Sequence, residues 1–447
     1  MDVELQTATR HRRRSWGVLA VTAALLVTAC GPAATSSAPA ATASPAASAE
    51  GSQAAPSGAA PSGAGGTVTV GFISPTTGFV AALGTDMKRG WELYWELNGA
   101  TAGGVTVETV YEDDAGDPEV ALTKARRLVE EVGVDITAGP ILANTAYAVA
   151  DYVGGAGVPS FHITGADDLT QRQFDPLVMR VGQTSSQSNF PAGKWAYDQG
   201  HRNALTICPD YAFGWESCGG FVSGFTDAGG TVGTQIWHPL GTQDFSTYVT
   251  QASSEQPDVV FIGSAGGPDA ILFWEAWTSF GLKDTVPLIG NCCFADQVLL
   301  RDQAEAAEGI TSFSYWTEGR DSEETRAFVE EYESRHGEIP SLYAAGSYLM
   351  AQVIAGALEE TGGVVDGEAF VAAARGLTFE DSIYGPLAFD DTNNLVGNVY
   401  REHVEARDDG KYWNVVDEVF EDVSQFWTYG KEEFLKNPVF SRDYTGQ

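Results

Sequence analysis

Basic side chains are scarce in this sequence: Lys and Arg together number 25 against 60 Asp and Glu, a formal charge of −35. A surface of that sign repels nucleic acid and anionic lipid headgroups, and neither is expected as a partner. Histidine is rarer still, six in all. No spacing groups His162, His201, His238, His336 or His403 into a catalytic or metal-ligating set. The sequence has no Gly-x-Ser-x-Gly elbow, no phosphate loop ending in Gly-Lys-Ser/Thr and no His-Glu-x-x-His pair. An enzyme is therefore not expected. The five cysteines include no Cys-x-x-Cys spacing, so no thiolate metal site is expected and no cofactor is called for. The N-terminal apolar run, Trp16 to Val27, stops short of the ~20 residues that a membrane span needs.

What is there begins with that run. Arg10, Arg12, Arg13 and Arg14 precede it, and Leu26-Val27-Thr28-Ala29-Cys30 ends it. A basic segment followed by a short apolar one is an export signal, here residues 1–29. The Leu-x-x-Ala-Cys ending resembles a bacterial lipobox, which would leave Cys30 as a lipidated first residue. The adjacent arginines keep export by the twin-arginine route open. Residues 30–66 carry that cysteine and then almost only Ala, Ser, Pro, Gly and Thr. Such a composition buries too little apolar surface to offset chain entropy and reads as a disordered tether. An exported protein held by lipid on the outer face of the cytoplasmic membrane, or in the periplasm, is the expectation.

From Thr67 on, roughly 380 residues exceed one usual domain and suggest two lobes. The organising stretch is Val134 to Gln171. A short apolar strand ends in Gly139-Pro140, a helix follows, then a second strand, Val158 to Ile163, ends in Thr164-Gly165-Ala166. Parallel strands joined by right-handed crossovers put both small-residue loops on one sheet edge, where ligands of open α/β sheets sit. The helix beginning near Asn144 would favour an anion there. Asp117-Pro118 supplies an N-cap and a first-turn proline. The same strand–loop–helix rhythm restarts after Val181, through the loops Pro209 to Gly214, Ser264 to Pro268 and Gly290 to Phe294. The tail from Pro386 to Phe420 alternates like antiparallel strands. Trp91, Trp95, Trp274 and Trp277 fall at helical spacing and read as core. Cys208, Cys218, Cys292 and Cys293 permit two disulfides by any of three connectivities. A Cys208–Cys218 bridge would pin a strand end to the next helix, with a vicinal Cys292–Cys293 bridge as the remainder.

The segments Gly71 to Gly78, Tyr111 to Pro118, Gly165 to Gln171, Asp210 to Gly214 and Tyr384 to Asp390 resemble, in order, those of the periplasmic binding proteins of the leucine/isoleucine/valine type. These are substrate-binding components of ABC importers. The resemblance implies a type I fold: two Rossmann-like, doubly wound lobes joined by three crossovers, placed near 182–184, 315–317 and 380–382. Lobe 1 would comprise 67–183 and 317–380, and lobe 2 would comprise 184–316 and 381–447. It further implies a small-molecule ligand between closing lobes, with an ABC permease and ATPase as partners. A surface receptor that reports to a membrane sensor is the alternative.

Pocket positions carry over loop by loop. Leu83 falls where amino-acid binders often have tyrosine. Ala143, Asn144 and Thr145, with Thr164, Gly165 and Ala166, match the loops that hold an amino acid's carboxylate and ammonium. Phe213 matches a second-lobe aromatic. Gly266 and Gly267 stand where tyrosines are frequent, and Cys292 stands where an acidic ammonium partner is usual. His162 is a further candidate at a strand end. These residues offer donors and apolar walls without a carboxylate, which suits a monoanion with an aromatic or branched body; the ligand expected is a small aromatic or branched carboxylic acid or amide ahead of an amino acid.

Overall fold

The computed structural model describes residues 65–446, so the export signal, Cys30 and nearly all of the expected tether lie outside the described residues. Two mixed α/β sheets organise them. The first holds β1 (Thr67–Ser74), β2 (Thr101–Ala102), β3 (Val105–Asp113), β4 (Ile136–Ala138), β5 (Ser160–His162) and β6 (Val178–Arg180), in the order β2-β3-β1-β4-β5-β6. All its pairings are parallel except β2 with β3. The second contains β7 (Asn203–Pro209), β8 (Thr231–His238), β9 (Val259–Ile262), β10 (Leu288–Asn291) and β11 (Thr311–Ser314). It is completed by β12 (Leu387–Phe389), β13 (Leu395–Ala406) and β14 (Tyr412–Val423). Its order is β12-β13-β11-β10-β9-β7-β8, with β14 on β13. The strands from β7 to β11 pair in parallel, and β11, β12 and β14 all pair antiparallel to β13.

The apolar run of β1 explains its central place. Val68, Val70, Phe72 and Ile73 are all buried, as a parallel strand covered on both faces requires. Helices α1 (Ala81–Leu97), α2 (Pro118–Arg126) and α3 (Ala143–Gly155) link the strands of the first sheet. The second sheet carries α4 (Phe190–Asp198), α5 (Ala212–Asp227), α6 (Ser246–Glu255), α7 (Asp269–Ser279) and α8 (Gln297–Gln303). The chain then returns through α9 (Glu323–His336), α10 (Leu342–Thr361) and α11 (Gly367–Arg375), where α10 packs on α1 and α11 lies beside β6. A short α12 (Lys431–Phe434) precedes the C-terminus.

Local chemistry sets several of these boundaries. Asp117 accepts bonds from the Glu119 and Val120 amides at 2.8 and 3.1 Å, and Pro118 opens α2. Ser341 caps α10 through the Ala344 amide at 3.2 Å. Strand β10 spans Leu288–Asn291 and begins directly after Pro287, which lacks the donor a ladder needs. Helix α8 is a short seven-residue helix capped by Asp296. The four tryptophans assigned to the core are buried, Trp91 and Trp277 completely.

Candidate functional site

The two sheets bring their strand ends together. The loops after β1, β4 and β5 meet those after β7, β9, β10 and β11, with the start of α10 closing one side. They line a cleft with about 500 Å³ of non-atom space, open solvent included. Leu83, Ile141, Leu142, Ile163 and Leu342 make the apolar wall, and Phe213, Tyr211, Tyr315 and Tyr343 supply the rings. Gln183, Thr184, Ser185, Ser188 and Ser217 add neutral polar groups. Among the described residues, no Asp, Glu, Lys, Arg or His lines this space.

Two helix N-termini reach it. Leu142 is the N-cap of α3 and Tyr211 that of α5, and neither residue's side chain caps its helix. Their first-turn amides and positive dipole ends are left for another acceptor. An anion is thus favoured without a basic side chain.

A buried polar cluster stands behind this wall. The Arg180 guanidinium donates to the Thr164 and Ala166 carbonyls, and to Thr170 Oγ1 at 3.2 Å. Glu216 on α5 accepts from Tyr147 on α3 at 2.8 Å and from Ser185 at 2.9 Å. Asp167 Oδ1 accepts the Ser186 amide at 3.2 Å. Burial pushes both carboxyls, Asp167 and Glu216, well up from the usual range, Asp167 further raised by Asp168 and Glu216 by Asp167. A second inter-sheet cluster is more open: Arg301 of α8 holds Asp86 of α1 at 2.7 Å and Glu338 at 3.3 Å.

The periplasmic binding protein family profile matches residues 67–406. The chain belongs to that family. This binding protein is 33% identical to an ABC transporter substrate-binding protein from Sphaerobacter thermophilus, with a TM-score of 0.76 over 80% of this chain and 99% of that one. It is 30% identical to a solute-binding protein of an ABC transporter from Rhodopseudomonas palustris BisB5, in complex with 3,4-dihydroxybenzoic acid, with a TM-score of 0.76 over 80% and 98%. The Leu/Ile/Val-binding protein homolog 6 of Brucella melitensis is 31% identical over 359 residues, 79% of this chain and 92% of that protein. Ligand capture by a substrate-binding protein of the ABC-transporter kind is the activity of this family.

Of the residues named from sequence, Leu83, Ala143, Gly165, Phe213 and Cys292 line the binding protein's pocket. Asn144, Thr145, His162, Thr164, Ala166 and Gly267 fall outside the lining, mostly for local reasons. Thr145 Oγ1 donates to the Leu142 carbonyl at 2.7 Å, and the carbonyls of Thr164 and Ala166 are taken by Arg180. His162 is fully buried and bonded to Ser160 Oγ at 2.8 Å, and burial pushes its pKa down to about 3. A Cβ on Gly266 (φ +78°) would overlap the Tyr343 hydroxyl, and one on Gly267 would overlap the Phe79 ring. The aromatic bulk expected at those positions comes from elsewhere in the chain. Tyr343 had no local signal of its own, whereas Cys293 lies in the loop Gly290 to Phe294 beside Cys292, and Tyr315 lies in the crossover placed near 315–317. Tyr211 lies inside the segment Asp210 to Gly214 and was legible there.

The cysteines divide. Cys208 and Cys218 form a disulfide with Cα atoms 6.4 Å apart. The vicinal bridge is not formed: Cys292 and Cys293 are free thiols with their sulfurs 3.2 Å apart. Adjacent Cα atoms stand about 3.8 Å apart across a trans peptide, below the ~4.4–6.8 Å usual for a disulfide.

Proposed function

We propose that this chain is the lipid-anchored substrate-binding subunit of an ABC importer, and that it captures a small aromatic or branched monocarboxylate. The carrying observation is the pocket itself: two uncapped helix N-termini on a lining without a charged side chain among the described residues. A carboxylate would be met by first-turn amides of α3 and α5 and by the Ser and Thr hydroxyls, and its body by Leu83, Ile163 and Phe213. An α-ammonium would lack the acidic partner that Cys292 replaces. The missing charge-assisted bond costs about 1.5–3 kcal/mol, on the order of 10–100-fold in affinity. The bound 3,4-dihydroxybenzoic acid of the R. palustris relative supports the same ligand class. Closing of the lobes over the ligand follows from loops contributed by both sheets.

Calorimetry at one pH with leucine, valine, benzoate and phenylacetate tests the reading. The acids are expected to bind and the amino acids to bind far more weakly. Submicromolar leucine binding with no response to the acids would overturn it. The anchor is tested separately: Cys30→Ala should leave the membrane fraction, and unchanged fractionation would refute lipidation.

A further inference from the structure

Two cysteine pairs lie in one body, and only one is bonded. The Cys208–Cys218 disulfide fits a compartment that oxidises thiols. In the same body Cys292 and Cys293, at the end of β10, place their sulfurs 3.2 Å apart, and both line the pocket. Tyr343 stands in the same pocket wall. An exchange reagent small enough to enter the pocket meets both sulfurs together.

We propose that Cys292 and Cys293 are a reversible redox site in the pocket wall, whose vicinal disulfide changes the affinity for the bound carboxylate. This rests on the reading of the pocket as the ligand site. The oxidant is a disulfide, R–S–S–R, of the kind carried by thiol–disulfide oxidoreductases. One cysteine thiolate attacks it, forming a mixed disulfide and releasing the first R–S⁻. The second thiolate attacks the protein-side sulfur, forms the Cys292–Cys293 bond and releases the second R–S⁻. Two electrons pass to the oxidant, and the two cysteine protons end on two R–SH. The hydrogen bond to Cys293 and burial push the Cys292 thiol up, which slows thiolate formation while the pocket is closed. Reaction is therefore expected in the open, empty protein and is opposed by ligand.

Reversibility follows from backbone geometry. Neighbouring residues hold their Cα atoms about 3.8 Å apart, closer than disulfides prefer, and a bond so constrained is more readily reduced. The Cys208–Cys218 pair, at 6.4 Å, carries no such constraint. In the reduced state the pair offers S–H donors to the wall; in the oxidised state it offers none.

The test uses the exported, mature protein equilibrated across ratios of reduced to oxidised glutathione, then denatured, alkylated with iodoacetamide and weighed intact. Two alkylated cysteines are expected under reducing conditions and none under oxidising ones, with Cys208–Cys218 staying bonded at ratios that open the second pair. Benzoate should slow the conversion. Its affinity should differ about five-fold or more between the two forms, the scale of one lost hydrogen bond, and Cys292→Ser/Cys293→Ser should abolish that dependence. Two alkylatable thiols at every ratio would overturn the proposal, as would equal affinity of both forms. If benzoate binds neither form, the ligand reading fails, while the thiol count alone decides whether the pair is a redox site.

Discussion

On one side of the pocket, Arg180, Asp167, Glu216 and Ser185, all buried, and the half-buried Tyr147 join the two sheets through one network. On the other, Asp86, Arg301, Glu338 and Arg89 join them through ion pairs whose Arg and Glu members keep 22–39% of their side-chain surface exposed. Both clusters bridge the two sheets, and both mix cations with acids. Their surroundings set their roles. The buried network meets most of its polar atoms internally, with Asp167 Oδ2 and Arg180 Nε left without a protein partner, and its bonds from Arg180 hold the Thr164 to Thr170 loop. The open cluster can exchange protein partners for water and is suited to parting and rejoining.

Arg180→Met should break this comparison most strongly. It removes the donor of Thr164, Ala166 and Thr170 and leaves Asp167 and Glu216 without their buried cation. Removal of one partner from a buried ion cluster costs about 3–5 kcal/mol. Urea unfolding is the measurement, and a change under ~1 kcal/mol would show that the loop does not depend on Arg180. Asp86→Asn should cost less, about 1–2 kcal/mol, because Arg301 keeps Glu338 at 3.3 Å and the Ile339 carbonyl at 3.0 Å. A double-mutant cycle with Arg301→Met would read the coupling directly, and strict additivity would dissolve the pair as a link.

The smallest effect expected is on pH dependence. Burial raises Asp167 and Glu216, and it raises Asp296 to about 6 and Glu318 to about 7. As pH falls, each is protonated in the folded state before the unfolded state would be. Their stability contribution is therefore complete below pH ~4 and lost as pH rises to about 7. His162 acts oppositely, since its lowered pKa costs stability as pH falls below 6.5. The raised acids outnumber the imidazoles lowered by burial, His162, His201, His238 and His336, so thermal stability should rise between about pH 8 and pH 5.5. Asp167→Asn should flatten that rise. A melting temperature that falls over this interval would contradict burial as the controlling influence.

Much of the first half was legible because it rests on local chemistry. The cap at Asp117, the small-residue loops after β4 and β5, and the paired strand ends all follow from neighbours in sequence. Some of the named residues that stand outside the lining are held by local bonds. Thr145 and Thr164 carry hydroxyls or carbonyls that found partners three to sixteen residues away, and such local bonds compete with a ligand. Arg180 gave no signal, since a basic residue at a strand end usually faces water. Its burial is set by Asp167 and Glu216, one of them on the other sheet's side. Tyr343 is also nonlocal: it reaches Gly266 from 77 residues further along the chain.

The Gly266–Gly267 loop has a consequence for size selection. Tyr343 and Phe79 occupy the volume that side chains would fill there, and the fit leaves no room for one added methyl group. How far the two walls approach is thus limited by what the two glycines admit: Tyr343, itself part of the pocket lining, against Gly266, and Phe79 against Gly267. A cargo too wide by about an ångström would hold both rings off these glycines and leave apolar surface uncovered that a smaller cargo lets them bury. Bulk in the ligand is then penalised at the loop as well as at the ligand's own contacts.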